Sequence, residues 1–567
     1  MSHQLVIRGG AVVDGTGAPA READVAVDGG RIVAVGAVPD RGDVEIDAAG
    51  RLVTPGWVDI HTHYDGQATW DPMLSPSCWH GVTTVVMGNC GVGFAPVAPD
   101  RREWLVALME GVEDIPGTAL HEGIRWAWES VPEYLDALAS MPRALDVAAQ
   151  VPHGALRGYV MGDRGADHTE VPSAEEIALM GRLAREGIAA GALGFTTSRT
   201  VNHKSSDGRH TPSLTATRDE LVGIAREIGV GGRGVIEAVA DFADVEAEFG
   251  LLLAMVEESG RPLSISIMQS DARPEGWRQL LGLISEAADR GLVVRGQVAS
   301  RAVGVLMGLQ STTNPFVRTR AYQEIAALPL ADKVARWKAP DFRDAMLAEM
   351  AAPDAFSMGW GKLYQLGDPP NYEPSPEQSI AARAQREGRS ASALAYELML
   401  ERDGRELLYV PFNNYSGGNL DVVREMITHP YTVPGLGDAG AHCGLLCDGS
   451  FPTYLLSHWG KDRPDGRLPV EWLVKRQTKD TAELVGLHDR GVVAPGRKAD
   501  LNVIDFDALG LTPPEIVHDL PAGGKRLVQR AGGYAATVVS GAVVMRDGEP
   551  TGALPGRLVR GAQDGSR

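Results

Sequence analysis

Pro55-Gly-Trp-Val-Asp-Ile-His-Thr-His-Tyr-Asp65 is the stretch on which the fold turns. A Pro-Gly breaker opens it and a short apolar run follows, which predicts a strand over residues 57–63. Alternate side chains of a strand share a face. Asp59, His61 and His63 therefore lie on one side, and Val58 and Ile60 on the other. In a barrel of parallel strands the aliphatic pair packs on the helices outside. The imidazoles then point inward near the strand's C-terminal end, where barrel active sites form. Two imidazoles at i and i+2 on one face can bind one metal ion.

Outward from this stretch the same grammar repeats. Apolar strand-like runs at 57–63, 83–90, 147–152, 192–198, 235–240, 263–268, 293–298, 407–413 and 433–439 alternate with helical patterns such as 173–190, 217–228, 244–259 and 276–289. Strand–helix alternation implies a parallel sheet, and about eight units over roughly 400 residues imply an α/β fold of the (β/α)8 TIM-barrel type. The barrel is expected over 55–488. Residues 310–405 are too long for one barrel loop and carry helical patterns at 321–337, 341–350, 376–386 and 391–402, so they read as a helical insertion. A second insertion, about 100–133, contains Trp104, Trp126 and Trp128, which fit the ordinary packing of a helical insert, with the roof of a pocket as the alternative.

The chain ends differ from this middle. Short β-rich runs at 5–7, 11–13, 25–27 and 32–35, broken by Gly pairs and Asp-Gly, signal hairpins. Similar runs return at 500–505, 536–540 and 541–545, and Val538-Val-Ser-Gly-Ala-Val-Val544 echoes Ile7-Arg-Gly-Gly-Ala-Val-Val13. Residues 1–54 and 489–567 are expected to build one small composite β-sandwich. The 567 residues are 44% hydrophobic and 23% charged, which suits a folded globular chain. A formal charge of −20 argues against nucleic acid and against an anionic membrane surface as partners. Four cysteines are too few for a disulfide framework. The N-terminus lacks a basic-then-apolar leader, and no apolar run reaches the ~18 residues of a membrane span. A cytoplasmic location and a small-molecule partner are expected, and a homo-oligomer is left open.

Two segments, Thr54-Pro-Gly-Trp-Val-Asp-Ile-His-Thr-His-Tyr-Asp65 and Gly496-Arg-Lys-Ala-Asp-Leu-Asn-Val-Ile-Asp505, resemble the amidohydrolase superfamily, and the resemblance covers nearly the whole chain. Within it, Gly81-Val-Thr-Thr-Val-Val-Met-Gly-Asn-Cys-Gly-Val-Gly-Phe-Ala-Pro96 is similar to the N-acyl-D-amino-acid deacylases. The resemblance implies hydrolysis of a C–N amide bond with bound Zn²⁺, which lowers the pKa of its water toward ~7 and polarises the carbonyl. It implies His61, His63 and Cys90 as metal ligands. It also implies that Asp438, in Pro434-Gly-Leu-Gly-Asp-Ala-Gly-Ala-His442, contacts the metal and carries protons between water and leaving group.

The family places further histidines at the ends of strands five and six, and this sequence has none between His210 and His429. Those positions fall near Val239 and near Ile267 or Met268. Aliphatic groups cannot bind zinc, and a thioether suits softer copper. Glu237 shares a strand face with Val239 and reads equally as a partial substitute or as a buried, hydrogen-bonded glutamate. His61, His63, Cys90 and Asp438 are enough for about one ion per chain, most simply zinc, with another divalent metal as the alternative. The deacylase arginine that grips the substrate carboxylate has no evident counterpart in Asp448-Gly-Ser-Phe-Pro-Thr-Tyr454. Arg199 and Lys204, with Arg209 nearby, and Arg301 are the basic candidates for substrate binding. His203 and His210 read as surface residues of a polar loop. The expected function is a metal-dependent hydrolase of a small N-acylated compound. The alternatives are a non-hydrolytic or mono-metal relative performing cyclisation, elimination or imide chemistry, and a non-catalytic scaffold that lost its metal site.

Overall fold

The runs read as parallel strands pair largely in chain order. The computed structural model describes residues 2–351 and 356–564. Both chain ends and residues 352–355 of the expected insertion lie outside the described residues. The strands are β1 (Trp57–Asp59), β2 (Val82–Met87), β3 (Asp146–Ala149, resumed at Val151–Pro152), β4 (Gly194–Arg199), β5 (Val235–Ala240), β6 (Leu263–Ile267), β7 (Val294–Val298) and β8 (Thr432–Pro434). Each pairs parallel with the next. A parallel bridge between Thr62 and Ala439 ties the last to the first. At the break in β3, Gln150 keeps its backbone N–H on Met87 O (2.9 Å) and donates its side-chain amide to Asn89 Oδ1 (2.9 Å).

Helices α1 (Arg102–Glu113), α2 (Ala174–Ala190), α3 (Arg218–Gly231), α4 (Val245–Ser259) and α5 (Gly276–Asp289) separate these strands. Ser173, Thr217 and Asp244 cap α2, α3 and α4 by accepting the N–H of Glu176, Glu220 and Ala247, each cap contributing about 1 kcal/mol. Gly232 and Gly260 end α3 and α4 in the left-handed conformation. The main core includes strand residues such as Phe195, Ile236, Ile265 and Val294 together with Leu221, Ile224, Leu252, Leu280 and Ile284 of the helices. Mixed α/β architecture follows from this packing. No helix among the described residues is long and apolar enough to cross a membrane.

Four expectations change in detail. The run at 407–413 is a strand, Leu408–Asn413, but it pairs antiparallel with Val303–Met307 and Tyr364–Gln365, outside the parallel circuit. The run at 433–439 leaves regular strand after Pro434, because Leu436 and Asp438 take φ of 59° and 44° among glycines. Regular strand in the opening segment stops at Asp59 rather than His63. The helix expected over 321–337 is two helices, Arg320–Ile325 and Leu330–Trp337, parted before Pro329, which restricts the residue preceding it.

Strands from both chain ends join one nine-stranded sheet, in which Leu501–Ile504 pairs antiparallel with Leu52–Pro55. Arg490 Nη1 (2.7 Å) and Lys498 Nζ (3.1 Å) both reach Asp146 Oδ2 of β3 and link this sheet's surroundings to the parallel strands.

Candidate metal centre

The backbone just beyond β1 carries the two imidazoles. His61 N–H donates to Asp59 Oδ1 (3.1 Å), Thr62 N–H to Val86 O (3.1 Å) and His63 N–H to Ala439 O (2.8 Å). The extended chain thus continues past Asp59, and both rings stay on one face, edge to face with centroids 5.5 Å apart. Cys90 follows β2 at φ 55°, its N–H bonded to Glu237 Oε2 (3.0 Å). Asp438 follows β8 at φ 44°, its N–H on His61 O (3.1 Å). Non-glycine residues held in this region are strained, and such strain clusters at functional sites.

These side chains converge. His61 Nε2 lies 3.3 Å from Cys90 Sγ and 3.3 Å from Asp438 Oδ1, and His63 Nε2 lies 3.5 Å from the same oxygen. Ligand atoms of His61, His63 and Cys90 all fall within 4.8 Å of one another. Donors at about 2.0–2.3 Å from a tetrahedral ion stand about 3.3–3.8 Å apart, so spacing and donor types fit a divalent cation. His61 is already turned for one. Gln297 donates its amide to Ser264 Oγ (2.9 Å), which leaves Oε1 to accept from His61 Nδ1 (2.8 Å). The Nε2 lone pair then faces Cys90 and Asp438, as in metal sites whose histidines are oriented through the other nitrogen.

Burial governs the charges. It opposes ionisation of Asp438, but the hydrogen bond with His63 and the charges of His61, His63 and His442 outweigh it and hold this carboxyl well below the usual carboxylate range. Burial pushes Glu237 and Asp59 each up to about 7 and His63 down to about 4. Glu113 is raised first by burial and then by the charges of Asp438, Asp65 and Glu237. The Cys90 thiol is raised by burial and by Glu237, Glu113, Asp438 and Asp65. A bound cation inverts this logic, since a coordinating thiol is deprotonated.

Residues 44–545 match the amidohydrolase family. The chain belongs to that family. It is a hydrolase acting on carbon–nitrogen bonds other than peptide bonds. This amidohydrolase is 28% identical over 568 residues to D-aminoacylase of Alcaligenes xylosoxydans xylosoxydans, covering 98% of this chain and 97% of that protein. It is 29% identical to N-acyl-D-glutamate deacylase of the same organism, over 98% and 96% of the two chains. A solved structure of D-aminoacylase matches with a TM-score of 0.65 at 26% identity, covering 98% of this chain and all (100%) of the other. N-acyl-D-glutamate deacylase from Bordetella bronchiseptica, complexed with zinc and a phosphonate mimic of the tetrahedral intermediate, matches at 0.63 and 25%, over 99% and 100%.

In this amidohydrolase the sequence-derived candidates His61, His63, Cys90 and Asp438 come together, whereas two of the basic candidates, Arg199 and Arg301, have partners of their own. Arg199 pairs with Glu248 and donates to Ala216 O (2.7 Å). Arg301, fully buried, lies 3.1 Å from Asp448 Oδ1 and 3.7 Å over the Tyr372 ring. Lys204 is exposed on the loop after β4. Val239 and Ile267 are buried and carry no donor, while Glu237 reaches in from β5, its Oε1 4.0 Å from His61 Nδ1.

His203 is not a surface residue as expected. It is half-buried with Nδ1 3.0 Å from Ser198 Oγ, and burial, then the charges of His442 and His63, push it down to about 3. Its loop is drawn in where Ser206 N–H bonds Ala107 O of α1 (2.8 Å). Sequence reasoning missed Glu113 altogether and gave His442 no role. Glu113 Oε1 lies 3.3 Å from His63 Nδ1, and Oε2 lies 3.8 Å from His442 Nε2. A glutamate at the end of an acidic helix reads as a solvated face, so no local signal marks it.

Proposed function

We propose that this amidohydrolase cleaves the C–N amide bond of a small N-acylated compound, in the manner of the N-acyl-D-amino-acid deacylases, with about one zinc ion per chain held by His61, His63, Cys90 and Asp438. The reading is carried by the convergence of imidazole, thiol and carboxylate donors at 3.3–3.5 Å beyond β1, β2 and β8. We read β1–β8, paired in chain order with the last tied to the first, as a (β/α)8 barrel over 55–488 with insertions at about 100–133 and 310–405. Residues 1–54 and 489–567 form its composite β-sandwich in this reading, supported by the pairing of strands from both ends.

When bound, zinc lowers the pKa of a water toward ~7 and polarises a carbonyl. The chain's own proton carrier is Asp438. Its carboxylate is ionised at neutral pH, and its side chain is 21% exposed where those of His61 and His63 are 1% exposed. It accepts the proton of the attacking water and returns it to the leaving nitrogen. The solved D-aminoacylase is described as having a binuclear metal centre with one-metal activation and second-metal attenuation, which supports a single activating ion here. The test is product analysis of the zinc-loaded chain on N-acetyl-D-amino acids, their L-forms and cyclic imides. Release of acetate and free amino acid supports the reading. Ring-closed or eliminated products replace it with a non-hydrolytic relative.

A further inference from the structure

We propose that Glu113 is a positioning residue of the metal centre: it anchors the far nitrogen of His63, so that helix α1 of the insertion, as well as the parallel strands, sets the metal ligands. The proposal rests on the metal-site reading above and adds a residue to it.

The first support is the pairing of leftovers. Glu113 and His63 are each 1% exposed. Glu113 Oε1 and His63 Nδ1 stand 3.3 Å apart, an ion-pair distance, and neither atom has a hydrogen-bond partner among the described residues. A buried polar atom without a partner is costly, and here two of opposite character are matched to each other.

The second support is the backbone that places Glu113. Helix α1 ends at this residue, and Asp114 turns the chain at φ 51°. His442 N–H donates to Glu113 O, Cys443 N–H to Asp114 O (3.2 Å) and Gly444 N–H to Asp114 Oδ2 (2.9 Å). These three bonds fasten the end of α1 to the segment that carries Asp438. On the other side α1 is seated on the loop after β4, through Ser206 N–H to Ala107 O (2.8 Å) and the close approach of Gly111 to Ser205.

The third support is the comparison of the two histidines. A metal-ligating histidine presents one nitrogen to the ion and gives its other N–H to a carboxylate, carbonyl or water. His61 gives Nδ1 to Gln297. His63 turns Nε2 toward Asp438 (3.5 Å), which leaves Nδ1 as the far nitrogen, and Glu113 Oε1 is the acceptor within reach.

The test reads zinc affinity by competition with a chromophoric chelator, and the absorption spectrum of the cobalt(II)-substituted protein. Neither needs turnover. Glu113→Gln should weaken zinc binding about 10–100-fold and shift the cobalt bands while circular dichroism stays that of the parent. Glu103→Gln, on the exposed first turn of the same helix, should change neither. A folded Glu113→Gln chain with the parent's zinc affinity and cobalt spectrum overturns the proposal and leaves the hydrolase reading standing, whereas a parent chain that takes up no zinc overturns both. If Glu113→Gln does not fold, Glu113→Asp decides, because it keeps the carboxyl group and withdraws it by about 1.5 Å, one C–C bond. At least tenfold weaker zinc binding is expected, and unchanged affinity overturns the proposal.

Discussion

Gly111→Ala moves the seat of α1 without touching any group of the metal centre. A methyl at this position would stand 2.1 Å from Ser205 C, 2.3 Å from Lys204 O and 2.3 Å from Ser206 N. All three are backbone atoms, so no rotamer change relieves the contact. Restoring ordinary contact at about 3.4 Å needs a shift of about 1.3 Å between helix and loop. Overpacking of this kind costs about 1–3 kcal/mol, and alanine in a helix interior returns about 1 kcal/mol relative to glycine. The net loss is about 0–2 kcal/mol, which lowers the melting temperature by a few degrees and leaves the chain folded. The effect on the site is larger. Glu113 lies two residues on, and its 3.3 Å ion-pair approach to His63 would open past about 4 Å, where the two groups no longer touch. Zinc affinity should fall about 10–100-fold. Chelator competition and a thermal melt on the same preparation measure both quantities. A folded Gly111→Ala chain that binds zinc as tightly as the parent refutes the proposed coupling between α1 and the candidate metal centre.

Three further outcomes follow from the same geometry. Asp438→Asn should fold and lose turnover by about 10²–10⁴-fold with a much smaller change in KM; steady-state kinetics with turnover near that of the parent would remove Asp438 from the mechanism. Glu220→Gln should cost about 3–5 kcal/mol, read as a denaturant midpoint, because Arg157 Nη1 (2.6 and 2.7 Å) and His153 Nε2 (3.0 Å) converge on this carboxylate with all three side chains fully buried; a loss under 1 kcal/mol would contradict it. Burial holds His80 at about 4, below its usual 6.5, so the unfolded chain binds the extra proton between those values and stability falls as pH drops from 6.5 through 4. That term is about 3 kcal/mol, and His80→Gln should flatten the dependence of the urea midpoint between pH 7 and 4.

Helices α2 to α5 are legible in the sequence because Ser173, Thr217 and Asp244 stand where caps belong and the apolar residues beyond them, in α5 as in the others, keep a helical period. His61 and His63 are legible because two-residue alternation survives past the end of regular strand, carried by the bonds of Thr62 and His63 to Val86 and Ala439. Asp438 could be placed by its apolar approach, but not its geometry: periodicity carries no sign of the positive φ at Leu436 and Asp438, so the expected strand overran. Leu408–Asn413 reads as one of the parallel runs, although it pairs antiparallel, because an apolar run is the same pattern in either ladder. Glu113 and His442 were beyond reach for a different reason. Their meeting depends on α1 docking between two loops that are distant in sequence, and that contact has no local pattern.

The most direct test of the central claim is elemental analysis of the purified chain after zinc supplementation and dialysis, beside His61→Ala and His203→Ala. Ligand atoms of His61, His63 and Cys90 gather within 4.8 Å, and His203 is not among them. The account predicts about one zinc per chain in the parent and in His203→Ala, and loss of retained metal in His61→Ala. A parent chain that retains no divalent metal, or a His61→Ala chain that retains as much as the parent, would contradict it.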